Sequence, residues 1–104
     1  MSITTIVECS NYGKDGFATY RFETAMPFMP IPGTKLMIGN LELSLGSETV
    51  ITWDNDDLIC YITRIRYHVQ REALLENHAD FLEAGWVVSK ATGVLADKEK
   101  DGGG

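Results

Sequence analysis

Basic residues are scarce in this chain. Nine Lys and Arg stand against fifteen Asp and Glu, for a net charge of −6. Gripping a phosphate backbone needs clustered cations, so direct nucleic-acid binding is not expected. A basic protein partner suits this balance better. Cysteine is nearly absent. Cys9 and Cys60 are the only two, far apart in apolar surroundings, and they read as buried reduced thiols rather than a disulfide framework. Histidine is limited to His68 and His78, whose spacing matches no zinc-ligand pattern. No apolar run approaches the ~20 residues of a membrane span. Met1-Ser-Ile-Thr-Thr carries neither the basic start nor the apolar core of a secretory signal. A cytoplasmic protein without membrane contact is the expectation. The chain contains no G-x-S-x-G, P-loop or G-x-G-x-x-G pattern. No catalytic residue, cofactor or metal is therefore expected.

What is present points to β-structure. The 104 residues are 44% hydrophobic, enough for one core and one domain, expected over residues 1–95. In Leu36-Met-Ile-Gly-Asn-Leu-Glu-Leu-Ser-Leu45, the pair Gly39-Asn40 separates two apolar stretches. That pair suits a two-residue hairpin turn. Leu41, Leu43 and Leu45 alternate with Glu42 and Ser44, which places three leucines on one face. Ile3 to Cys9 reads as a strand, Ser10 to Gly16 as a loop, and Phe17 to Thr24 as a second strand. Pro27, Pro30 and Pro32 forbid a helix and a central strand between Met26 and Gly33. Glu48 to Trp53 and Leu58 to Val69 are further strands. In the second, Ile59, Tyr61, Ile65, Tyr67 and Val69 share one parity.

From residue 71 to 84 the period changes. Leu74, Leu75, His78, Phe81 and Leu82 fall on one face of a helix, and Gly85 is placed to end it in a left-handed conformation. Trp86 to Val88 reads as a short last strand. The tail 96–104 is polar and glycine-ended, with the composition of a disordered segment.

The stretch Ile31-Pro-Gly-Thr-Lys-Leu-Met-Ile-Gly, its hairpin, and Val50-Ile-Thr-Trp-Asp-Asn-Asp-Asp-Leu-Ile-Cys-Tyr-Ile resembles SH3-like small barrels over residues 31 to 63. The resemblance implies a barrel; with the strands first and one helix after them, the expected fold is α+β, an antiparallel SH3-like β-barrel of five or six strands with one C-terminal amphipathic helix. It implies no function, because such barrels serve many.

The least ordinary surface is the helix. Glu72, Glu76, Asp80 and Glu83 fall within an arc of about 80°. Like charges at this spacing repel, and Glu83 lies near the end where the macrodipole disfavours an anion. The arrangement reads either as a solvated face or as a docking stripe for a basic partner, and its unfavourable spacing is what raises the second reading. The segment with Met26, Phe28, Met29 and Ile31 reads as a crossover lidding one end of the barrel; alternatively, Met26, Phe28 and Met29 form a second candidate contact, suited to a partner or to homo-oligomer formation. His78 reads as a core residue. Asp54-Asn-Asp-Asp57 reads as a hairpin turn, because the glycine and glutamate of an EF-hand loop are missing. The leading expectation is a non-enzymatic protein-binding or assembly module. The alternatives are an acidic nucleic-acid mimic of the phage accessory type, which would inhibit a basic host enzyme, and a small ligand-binding or enzymatic domain using His68 or His78.

Overall fold

The structure, a computed structural model, describes residues 2–38 and 41–96, without the side chains of Arg71 and Glu72. Seven strands and a helix follow in order: β1 (Ile3–Gly13), β2 (Gly16–Met26), β3 (Lys35–Ile38), β4 (Leu41–Ser44), β5 (Val50–Asp54), β6 (Ile59–His68), α1 (Arg71–Glu83) and β7 (Val87–Gly93). A helical turn over 94–96 closes the described chain.

The barrel expectation is overturned. Five strands form one open sheet in the order β5-β6-β1-β2-β7, and β3 and β4 pair only with each other. β1 runs antiparallel to β2 but parallel to β6, and β7 is antiparallel to β2. β6 and β7 are therefore parallel to each other, with the β1–β2 hairpin between them. A parallel connection needs a crossover, and α1 supplies it. The helix lies against β1, β2 and β7. It is thus an internal crossover rather than a terminal addition. β5 and β7 remain as open edges, so nothing closes the sheet. The proline segment contributes to this outcome, because three residues without N–H groups cannot carry a ladder from β2 to β3. It ends in a turn at Pro32-Gly33, closed by the Thr34 N–H donating to the Ile31 carbonyl at 3.1 Å.

Three strands run further than their sequence suggested. β1 continues through Asn11 to Gly13, and β2 starts at Gly16, so only Lys14-Asp15 turns the chain. The last strand reaches Gly93. Leu95, in the polar-looking approach to the tail, is fully buried. The expected Gly39-Asn40 turn and the tail from 97 lie outside the described residues.

One face of the sheet carries the core. Val7 and Cys9 of β1, Ala18 and Tyr20 of β2, and Cys60 and Ile62 of β6 are fully buried there. Leu74 and Phe81 cover them from α1, and Leu36, Leu43 and Leu45 complete the same cluster. Leu41 is partly buried against it. Phe81 stacks on Tyr20 with ring centroids 4.3 Å apart.

β6 breaks the expected parity. Val7 pairs with Ile62, but Cys9 pairs with Ile65, so β6 holds one extra residue. Arg64 absorbs it in the left-handed region, at φ 63°. This bulge inverts the alternation. Cys60 and Ile62 face the core before it; Ile65 and Tyr67 do so after it. Ile59 and Tyr61 consequently do not share a face with Ile65 and Tyr67.

The helix end follows its sequence signal. Gly85 has φ 96°, which a Cβ would make costly. Its N–H donates to the Leu82 carbonyl at 3.1 Å, and the Trp86 N–H donates to the Phe81 carbonyl at 3.0 Å. This is the Schellman pattern, and the expected apolar contact accompanies it: Phe81 and Trp86 meet edge to face at 5.1 Å.

Candidate functional site

The apolar face of α1 is narrower than its periodicity implied. Leu74, His78 and Phe81 are buried, but Leu75 is 41% and Leu82 44% exposed. At 100° per residue the two leucines lie within about 20° of each other. They run as a line between the buried stripe and the acidic arc. Glu76, Asp80 and Glu83 are exposed on that arc. The Glu72 side chain lies outside the described residues. No basic side chain occupies the last turn to offset Glu83. The helix thus presents three carboxylates beside two uncovered leucines.

The proline segment divides. Met26 is buried at the end of β2, where it pairs with Ile3, so it is withdrawn from any contact surface. Phe28, Met29 and Ile31 are exposed.

The two histidines do not meet. His78 is buried, and its Nδ1 lies 2.7 Å from the Tyr20 hydroxyl. His68 is exposed and packs edge to face on Tyr12, its register partner, at 5.2 Å. Among the described residues, no three His, Cys, Asp or Glu side chains are grouped to hold a metal ion. The acidic turn is a hairpin connection. Asp54 Oδ1 accepts from the Asp56 and Asp57 N–H groups at 3.0 and 3.2 Å, and Leu58 turns the chain at φ 56°.

Two concave regions carry residues that the pattern of the sequence did not single out. Asn11 is buried, and among the described residues neither its Oδ1 nor its Nδ2 has a hydrogen-bond partner. It forms part of a pocket of about 220 Å³ walled by Leu43, Tyr67, Asn77 and Phe81. The residue was read as loop because Ser10 to Gly16 is rich in turn formers. The second region, of about 440 Å³, lies between residues 47–50 and Arg64 and Arg66. Two arginines two residues apart in an acidic chain were a signal available from the sequence.

Both thiols are free and buried. Burial pushes Cys9 up to about 12 and raises Cys60 as well. The sign follows from the unfolded chain, where a thiol ionises near 9. The folded state keeps its thiol protonated above that point, so the unfolded state loses protons first. Stability is intact below pH 9 and falls as pH rises toward 12. Native protein is expected to resist a thiol reagent at pH 8 and to react at both cysteines once unfolded by denaturant. Rapid labelling of the native protein would place a thiol at the surface.

No helix among the described residues is long and apolar enough to cross a membrane. Comparison with known proteins gives no match to a family model, a curated protein or a solved structure.

Proposed function

We propose that this chain is a non-enzymatic binding module whose α1 meets a basic protein partner. One observation carries the reading: Glu76, Asp80 and Glu83 stand exposed beside the uncovered Leu75 and Leu82. Carboxylates alone make a solvated face. Leucines alone make a scattered apolar surface. Together on one helix they match a partner that offers an apolar ridge flanked by Lys or Arg. The acids would speed encounter, and the leucines would hold the complex once formed. The intrahelical energetics agree, since repulsion between neighbouring acids and an anion at the negative end of the dipole both oppose folding. Binding a cation relieves both.

The test uses a Lys/Arg-rich amphipathic helical peptide as probe, at low and high ionic strength. A variant carrying Glu76→Gln, Asp80→Asn and Glu83→Gln should keep its fold and bind more weakly. Its affinity should depend less on salt. Leu75→Ser with Leu82→Ser should weaken binding at both salts alike. Equal binding by wild type and both variants would remove the helix from the interface and leave Phe28 and Met29 as the contact.

A further inference from the structure

We infer that the cleft between the 47–50 segment and the bulged part of β6 is a binding site for a singly charged oxyanion, a carboxylate or a phosphodiester group of a small ligand. Arg64 and Arg66 line it together with Ser47, Glu48 and Thr49. It adjoins a smaller hollow that reaches Gly46 and Tyr67.

Three observations converge on this cleft. The first is conformational. The bulge in β6 places Arg64 in the left-handed region, which glycine or asparagine would occupy at lower cost than arginine. Here the bulge turns Arg64 and Arg66 away from the core face and into one cleft.

The second is topological. β5 pairs with β6 only from Ile59 to Thr63. From Arg64 to His68, no strand among the described residues lies beside the outer edge of β6, while the inner edge continues along β1. The space next to that free edge is the cleft. Its far wall is the segment that leads into β5.

The third is electrostatic. Neither guanidinium forms an ion pair with a carboxylate among the described residues, where Lys35 and Glu42 pair instead at 3.5 Å. Two guanidiniums against the Glu48 carboxylate leave a single net positive charge in the lining. That balance favours a monoanion over a dianion. Guanidinium forks match the two oxygens of a carboxylate or phosphodiester, and the Ser47 and Thr49 hydroxyls can donate as well.

The experiment titrates sodium acetate and dimethyl phosphate separately into the full chain, at constant ionic strength held with chloride. Amide shifts in a two-dimensional NMR spectrum are the readout. Saturable shifts confined to residues 46–50 and 63–67 are expected for at least one probe. The tighter probe identifies whether a carboxylate or a phosphodiester is the natural group. Arg64→Gly keeps the left-handed backbone while removing the guanidinium, and should weaken binding at least tenfold. Arg66→Gln should do the same. Glu48→Gln should tighten binding, because it removes the opposing charge. Shifts that rise linearly without saturation, or equal affinities for wild type and both arginine variants, would overturn the site. The helix variants should leave this titration unchanged, so the oxyanion site and the helix interface fail or stand separately.

Discussion

Gly93→Ala is expected to destabilise the fold by about 3 kcal/mol or more, enough to leave a marginal domain largely unfolded. Gly93 pairs with Gly16 where β7 meets the start of β2. Its φ is 63°, so an L side chain is already strained there. Space is the larger problem. A methyl group would fall on the Asp15 carbonyl oxygen and come within 2.8 Å of the Gly16 Cα. Both obstacles are backbone, and the same Asp15 carbonyl accepts from the Val94 N–H at 3.1 Å. Moving it would loosen residues 94–96 and the buried Leu95 with them. Thermal unfolding followed by circular dichroism checks this. A melting temperature within a few degrees of wild type would show that the β2–β7 contact gives way without cost.

The second large effect belongs to the small sheet. Leu43→Ala should cost about 2–5 kcal/mol, because a buried leucine loses its transfer energy and leaves a cavity. Leu43 is only 1% exposed. Its position makes the loss more consequential. β3 and β4 share no strand ladder with the five-stranded sheet, so side chains hold the hairpin in place. Leu36, Leu43 and Leu45 anchor it in the core cluster, with Ile38 and Leu41 packed against them. Removing the middle leucine should release the hairpin before the main sheet melts. Urea unfolding would then show a lower midpoint and a broadened transition. A loss below ~1 kcal/mol would place Leu43 outside the core.

The elements themselves were legible in the sequence because they rest on local periodicity. Leu43 and Leu45 alternate with polar neighbours and are buried as the alternation implies. The helix over 71–84 ends at Gly85 in the conformation its position suggested. What the sequence did not carry was the pairing. Nothing local distinguishes a strand that joins its neighbour from one that joins a partner across the chain, and the β1–β6 parallel contact is of the second kind. The barrel expectation failed on that pairing and on the separation of β3 and β4 from the main sheet. The β6 bulge was hidden for a related reason. Ile59, Tyr61, Ile65 and Tyr67 keep an unbroken parity in the sequence, while one left-handed residue reverses the faces in space. The surface was legible only as charge. The acidic arc of α1 was visible from spacing, but the exposure of Leu75 and Leu82 depends on how the helix rolls against β1, β2 and β7. The Arg64 and Arg66 pair was visible in the sequence, but the cleft that the two line was not. Met26 lost its surface role because it completes β2, one residue before the first proline.

The parallel seam also governs how the chain finds its fold. β1–β2 and β5–β6 are hairpins whose partners lie close in sequence, and each can form from local contacts. The seam joins Thr4 to Ile59 and Tyr12 to His68, more than half the chain away. Loop-closure entropy must be overcome before any of those contacts is gained. Folding speed is therefore expected to be limited by the meeting of the two hairpins rather than by their turns. Until they meet, β1 and β6 each expose a strand edge that the native sheet keeps in its interior. The interval before docking is when this molecule is most open to pairing with another chain.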